Sequence, residues 1–392
     1  MRRAALKSLE QEAVLAKPIL NERGGVLLTA GTRLTDRYVR HLLERGTQRV
    51  AIEDPDTDDI EIPDLISDAL RATAIHTVYK VYEAMESAVA GLKGLSSGEI
   101  EAAIRSGDFK SRAGHLVPTE AVISVVDEIM SEVMDADLLT GMAAIKSYDN
   151  YTFAHSVEMA TAALVVGRRM RLDRGSLRRL VRACLLHDIG KIFVDDAILN
   201  KRGPLTPEEQ QVMRTHPLLG YELLQAIQPN DVLINQVALQ HHERQDGKGY
   251  PRGLTGHNRI ARPQFGSQRK ILLIAEIASV ADVYDALASD RPYRAGLAPE
   301  TVLETMRAMG STALNQEVLD VFCSAVPVFP IGMTVRVANG RWIGHRGVVA
   351  RINRHALARP VVRVLRSPRD QRIEPFEIDL SQEKTLRIVS VL

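Results

Sequence analysis

Cysteine is almost missing from this chain. Two occur in 392 residues, Cys184 and Cys323, each inside an apolar stretch with helical spacing. Two isolated thiols build neither a disulfide framework nor a thiolate metal site, and both are expected to be reduced core residues. Aromatic residues make up only 4% of the chain, with one tryptophan, Trp342, too few for a base-stacking platform. Charge of one sign is also lacking: the formal net charge is +1, so no global field directs the chain to nucleic acid or to a membrane surface. No apolar run approaches the roughly 20 residues that span a bilayer. Met1-Arg2-Arg3-Ala4-Ala5 leads into no apolar signal segment. These absences predict a soluble, cytoplasmic protein whose partners include neither nucleic acid nor membrane.

The length suits two or three domains, and the pattern predicts a multidomain chain: a central all-α helical bundle between small β-containing modules at its N- and C-termini. Residues 1–63 read as a small α/β regulatory module. Ala13–Ala16 and Gly25–Thr29 are strand-like around the Asn21–Gly25 turn, a short helix follows Thr35, and Gln48–Ile52 is a return strand. Its last residues, with Glu53, Asp54, Asp56, Asp58, Asp59, Glu61 and Asp64 nearby, read as a solvated acidic linker. Residues 64–117 read as a helical connector, an arm that can also serve a homodimer. Residues 118–328 form the helical domain that carries the chemistry. Residues 329–392 alternate like strands and are rich in arginine, which predicts a small β-domain with a solvated, charged face.

Within the helical domain one stretch stands out: Leu185-Leu186-His187-Asp188-Ile189-Gly190-Lys191. Leu177, Leu180, Val181 and Cys184 lead into it at helical spacing, and Gly190 is placed where a helix end favours left-handed backbone. An adjacent His-Asp pair at the end of an apolar helix is costly to bury alone. Taken by itself, the stretch fits a hydrogen-bonded core pair as well as a metal site. Further residues of the same kind tip that balance. His155 lies on a helix apolar on two faces, His216-Pro217 opens another helix, and His241-His242 ends a third. Asp282 sits in Ile277-Ala278-Ser279-Val280-Ala281, with Asp285 on the same helix face.

Five histidines and two carboxylates without cysteine point to iron or manganese, with zinc compatible. They are too many for one tetrahedral ion. A pair of divalent ions would use them, with His155, His187, Asp188 and Asp282 on the first and Asp188, His216, His241 and His242 on the second. Such a pair suits phosphoester hydrolysis by an activated water. Lys191, about one turn beyond His187, can protonate the leaving alkoxide or neutralise a phosphate oxygen. It is equally a cation suited to a helix C-terminus. Arg291 and Arg294 can grip phosphate or stack on a base, and as a lone pair they suit an ordinary surface just as well.

In these residues the chain resembles the HD-GYP subgroup of the HD-domain phosphohydrolases over about residues 118–326. The motifs are Asp149-Asn150-Tyr151-Thr152 with His155, His187-Asp188-Ile189-Gly190-Lys191, His216-Pro217 and His241-His242-Glu243. They continue with Asp246-Gly247-Lys248-Gly249-Tyr250-Pro251, and with Ala281-Asp282-Val283-Tyr284-Asp285-Ala286-Leu287 followed by Arg291-Pro292-Tyr293-Arg294. The resemblance implies a metal-dependent phosphodiesterase that hydrolyses cyclic di-GMP to pGpG, GMP or both. The alternatives are a catalytically weak receptor or adaptor for that nucleotide that recruits a diguanylate cyclase, and another HD phosphohydrolase acting on a nucleotide monophosphate or a different cyclic dinucleotide. It also implies that the seven residues above are metal ligands, that Asp188 and Lys191 are catalytic, and that Gly249, Tyr250, Asp285, Arg291 and Arg294 line the nucleotide site. The Gly-Tyr-Pro loop carries a further association with diguanylate cyclases of the GGDEF type. Tyr151 stands where some members have a glutamate that helps hold a third metal, which favours two ions here. An insertion around residues 261–270 reads by default as a tolerated surface loop, with a lid or a partner contact as the alternatives.

Overall fold

The computed structural model describes the chain apart from residues 10–12, 114–118, 137–151, 202, 262–268, 290–295 and 392. Short strands and one helix come first: β1 (Arg2–Ala5), β2 (Ile19–Leu20), β3 (Val26–Leu28), α1 (Asp36–Glu44) and β4 (Arg49–Ile52). β1 pairs antiparallel with β4, Arg2 opposite Ile52, and β2 pairs with β3. Asn21 makes the turn between β2 and β3, its side-chain oxygen accepting from the Arg23 and Gly25 amides. Thr35 caps α1. Leu6, Leu15, Leu34, Leu42, Val50 and Ile52 fill this module's own small core.

Helices follow: α2 (Asp68–Val89), α3 (Ser97–Arg105), α4 (Gly107–Ala113), α5 (Thr119–Asp135), α6 (Thr152–Arg169) and α7 (Arg174–Leu186). A tight 3-10 turn, Ile189–Phe193, leads to α8 (Asp196–Leu199), α9 (Pro207–Met213), α10 (His216–Ile227), α11 (Val232–Gln240), α12 (Leu273–Ala288), α13 (Pro299–Met309) and α14 (Gln316–Cys323). Their starts are written in the sequence. Ser67, Asp173 and Asn315 cap α2, α7 and α14. Ser96 with Glu99 and Thr206 with Glu209 form reciprocal capping boxes at α3 and α9. The centre is α6, alanine- and valine-rich, with Val157, Met159, Ala160, Ala163, Leu164 and Val166 all buried. α2, α5, α7 and α12 pack around it.

The expected connector is part of this same core. Ala74, Ile75, Val78, Val81 and Met85 of α2 share one apolar cluster with α6, α7 and α12, so α2 is a wall of the bundle and not a separate arm. A buried ion pair fixes it there: Arg71 Nε donates to Glu158 Oε1 at 2.7 Å, joining α2 to α6 one turn beyond His155. Arg71 also reaches Asp68.

The last element is a five-stranded antiparallel sheet of β5 (Thr334–Val337), β6 (Arg346–Arg351), β7 (Val361–Arg366), β8 (Arg372–Asp379) and β9 (Ile388–Ser390), in the order β8-β7-β6-β5-β9. The acidic segment expected to be solvated lies against it. Arg363 binds both carboxylate oxygens of Asp59 and also Glu377, Arg372 binds Asp56, and Arg2 binds Asp54. Ile60 and Ile62 pack with Ile331, Val348, Ala350 and Leu365. The physical reason is complementarity: arginines on the strands and carboxylates in the segment meet beside an apolar strip that anchors them. Among the described residues no helix is long and apolar enough to cross a membrane.

Breaking one side of a buried ion pair leaves the other charge without its partner, at about 3–5 kcal/mol. Glu158→Ala is therefore expected to lower the urea unfolding midpoint sharply. Arg71→Met with Glu158→Leu, which removes both charges, is expected to cost less than Glu158→Ala alone.

Candidate metal centre

Five helix ends and faces bring the histidines together. His155 comes from the first turn of α6, and His187 and Asp188 follow α7 directly. His216 is the first residue of α10, His241 and His242 follow α11, and Asp282 faces inward from α12. Gly190 sets the approach of two of these segments. A Cβ there would lie 2.0 Å from the His216 carbonyl oxygen and 2.6 Å from the Gly220 amide. The glycine is required by this contact between the 3-10 turn and α10. Its φ is not positive, so the expected left-handed role is replaced by a steric one. Gln240, the last residue of α11, accepts from the Leu272 amide ahead of α12, which ties the His241-His242 pair to the helix that carries Asp282.

Three of the histidines have a fixed proton. His187 Nδ1 lies 2.7 Å from Cys184 O, His216 Nδ1 lies 2.7 Å from Met213 O, and His241 Nδ1 lies 2.9 Å from Ala238 O. A carbonyl only accepts, so each Nδ1 carries the hydrogen and each Nε2 turns a lone pair inward. These inward atoms crowd one another. His216 Nε2 and His241 Nε2 are 3.3 Å apart, and His187 Nε2 is 3.2 Å from Asp188 Oδ2. Among the described residues His187 Nε2 and Asp188 Oδ1 have no hydrogen-bond partner, in side chains only 1% and 2% exposed. Lone pairs facing lone pairs at such distances repel unless a cation lies between them. The donor set, imidazole and carboxylate, is one that divalent metals accept.

The ligand atoms form three overlapping groups, each with all atoms within 4.8 Å of one another: His155, His187 and Asp282; His187, Asp188 and His241; and His216, His241 and His242. Asp188 stands between the outer two. Its Oδ1 is 3.3 Å from His216 Nε2, and its Oδ2 faces His187 and lies 2.5 Å from Lys191 Nζ. Protonation suits this arrangement. Burial pulls the His241 pKa well below the usual range, reinforced by its histidine neighbours, and brings His242 down to about 3. Burial would raise the Asp188 carboxyl, but His187 and Lys191 outweigh it and hold it well below its usual value. At His155 burial pulls the pKa down, while hydrogen bonds to Asp282 and Asp285 overcome this and push it up to about 10. Two carboxylates thus demand positive charge at that imidazole.

Two of the residues expected to line a nucleotide site have other contacts. Asp285 is buried, with Oδ2 on His155 Nδ1 at 2.6 Å and Oδ1 accepting from Ser289 Oγ at 3.0 Å. It aims His155 Nε2 at Asp282, 3.1 Å away, with each of its own oxygens in a hydrogen bond. Gly249 faces its own chain: a Cβ there would meet Glu243 Cα and the Arg244 amide at 2.5 Å. That contact folds the loop back so that the Tyr250 ring stacks on His242, centroids 4.7 Å apart. Arg291 and Arg294 lie outside the described residues, as do Asp149, Asn150 and Tyr151 and most of the 261–270 insertion. Lys270, at the insertion's end, donates to Thr255 Oγ1 and Gly256 O.

Sequence reasoning missed the supports of this loop. Glu243 is buried and accepts from the Arg252 and Leu254 amides. Gln245 accepts from the Asn258 amide and donates to Glu276, which also accepts from Asn315. The Tyr82 ring of α2 packs edge-on to Phe153, with its hydroxyl buried. A signal existed for Glu243, which stands in the His241-His242-Glu243 motif, but its role as a support of the loop was not read from it.

Comparison with known proteins adds the following. Residues 137–318 match the family model described as HD domain. A cyclic di-GMP phosphodiesterase of Pseudomonas aeruginosa is 35% identical over 292 residues, 74% of this chain and 66% of that protein. The cyclic di-GMP phosphodiesterase response regulator RpfG of Xanthomonas campestris is 34% identical over 218 residues, 55% of this chain and 53% of the relative. The 3'3'-cGAMP-specific phosphodiesterase 3 of Vibrio cholerae is 29% identical over 251 residues, 64% of this chain and 50% of the relative. The chain thus spans about half to two thirds of the length of these relatives.

Two outcomes follow for metal binding. Carboxylates that orient metal-bound histidines are typically worth about 10- to 100-fold in affinity. Asp285→Asn is expected to weaken Mn²⁺ binding by that factor in a competition titration, with little change in melting temperature. Gly190→Ala forces the 3-10 turn and α10 apart. It is expected to cost about 1–3 kcal/mol of stability and to lower the metal content of purified protein measured by mass spectrometry.

Proposed function

The chain belongs to the HD-domain family, and from that membership we propose that it is a metal-dependent phosphodiesterase that hydrolyses cyclic di-GMP to pGpG, to GMP or to both. The observation that carries the reading is the inward crowding of lone pairs: His216 Nε2 against His241 Nε2 at 3.3 Å, beside His187 Nε2 and Asp188 Oδ1, which have no hydrogen-bond partner among the described residues. His155, His187, Asp188 and Asp282 would hold one divalent ion, and Asp188, His216, His241 and His242 a second, with iron or manganese best suited to these ligands. A pair of ions bound there supplies a water acidified to near neutral pH and offsets charge on the phosphodiester.

The chain's own residues do the rest. Asp188 presents one oxygen to each half of the cluster. Asp285 keeps the His155 ring turned toward Asp282. Lys191, partly exposed and 2.5 Å from Asp188, would be the group that delivers a proton to the leaving oxygen. Tyr250, stacked on His242, forms a wall of the site on the side of the Gly-Tyr-Pro loop. Cyclic di-GMP is favoured as substrate because two of the similar proteins bear that activity in their names. Cyclic GMP-AMP is the competitor to test.

Purified protein with Mn²⁺, or with Fe²⁺ under anaerobic conditions, is expected to convert cyclic di-GMP faster than 3'3'-cGAMP, with products resolved by chromatography. Asp188→Ala is expected to reduce turnover to background. Lys191→Met is expected to lower kcat by about 10²- to 10⁴-fold, the usual worth of a general acid, with metal content kept. Tight nucleotide binding without turnover in either metal would replace the enzyme by a receptor, and neither binding nor turnover would sink the substrate.

A further inference from the structure

The Tyr250 ring is not an open platform for a base. One neighbour is His242; another is Arg214, whose guanidinium carbon lies 5.1 Å from the ring centroid. Arg214 therefore stands one ring away from the His216, His241 and His242 group. Its backbone is held at the end of α9, where its amide donates to Gln210 O. Two residues later His216 opens α10 and fixes its Nδ1 on Met213 O. One short turn thus sets both the guanidinium and an imidazole of the cluster.

Three other cations have carboxylate partners: Lys191 on Asp188, Lys201 on Glu209 and Arg244 on Asp246. Arg214 has no carboxylate or hydrogen-bond partner for its guanidinium among the described residues, and it is exposed. A guanidinium held against an aromatic ring keeps its N–H edge available, and that planar fork matches the oxygens of a phosphate. A cyclic dinucleotide carries two phosphodiesters on one ring. When one is at the metal cluster, the other needs a cation beside the cluster and not in it.

Resting on the phosphodiesterase reading above, we propose that Arg214 binds the phosphodiester of a cyclic dinucleotide that is not being cleaved. It thereby makes the site prefer a two-phosphate ring over a simple diester. The orientation on Tyr250 and the fork geometry both contribute, so a lysine at 214 supplies the charge and only part of the effect.

The test compares wild type, Arg214→Ala and Arg214→Lys on cyclic di-GMP and on bis(p-nitrophenyl) phosphate, which has one phosphodiester and no second anion. For Arg214→Ala, KM for cyclic di-GMP is expected to rise about 10- to 100-fold, the worth of a charge-assisted hydrogen bond. The loss of kcat/KM is expected to be at least about ten-fold larger than on the simple diester. Arg214→Lys should fall between. Metal content equal to wild type shows that the cluster has stayed intact. Equal losses on both substrates, a loss confined to kcat, or no change would overturn the assignment. Should wild type be inert toward the simple diester, the split between KM and kcat on cyclic di-GMP decides alone. Wild type that hydrolyses the simple diester but neither binds nor cleaves any cyclic dinucleotide would sink the substrate reading and this assignment together. Active wild type with an indistinguishable Arg214→Ala sinks the assignment alone.

Discussion

A carboxylate buried among imidazoles is the constraint on which the centre of this protein rests. Asp188 is 2% exposed, flanked by His187, His216 and His241, with a lysine on one oxygen. Water cannot reach it to share its charge, and the histidines cannot donate to it from Nε2 while their Nδ1 hydrogens are committed to backbone carbonyls. Negative charge and inward lone pairs therefore accumulate at one point, and only positive charge relieves them. The surrounding helices are arranged to enforce this state. The backbone carbonyls that fix the tautomers belong to the ends of α7, α9 and α11, so the chemistry of the cluster is decided by where those helices stop.

Helix ends are placed in turn by contacts that tolerate no side chain. Gly190 allows the 3-10 turn to touch the backbone of α10, and Gly249 allows the loop after α11 to fold onto its own stem. Neither glycine needs unusual dihedrals; each serves because the neighbouring backbone occupies the space of a Cβ. Around them, buried polar side chains act as struts. Glu243 holds two amides of the loop, Glu276 joins the loop to α14 through Gln245 and Asn315, and Glu158 holds α2 through Arg71. Glu276 and Glu158 are satisfied by partners distant in sequence, and Glu243 by the loop that it closes, so the loss of any of them would be felt at the cluster.

The same distances explain what could be read beforehand. Elements set by local chemistry were legible: the capped helices at Thr35 and Thr206, the apolar stripes of α6 and α12, and the alternation of the last strands. The cluster was legible because histidine and aspartate are costly inside apolar helices, so their mere placement at 155, 187, 188, 216, 241, 242 and 282 demanded a reason. Long-range contacts were not legible. No local pattern announces that Asp285 turns toward His155, that Arg214 lies by Tyr250, or that Asp56 and Asp59 meet Arg372 and Arg363. The acidic segment was read as solvated because its complement lies some three hundred residues further on.

That separation has a consequence for how the chain is made. Asp59 and Arg363 are 304 positions apart, and Ile60 and Ile62 bury themselves against Ile331, Val348 and Leu365. At about 5–20 residues per second of synthesis, the isoleucines emerge roughly 15 to 60 s before the sheet that covers them. Adjacent helices such as α6 with α7 and α10 with α11 have their partners at hand much sooner. The union of the terminal modules therefore comes late, and until then a nascent chain shows an apolar strip to chaperones.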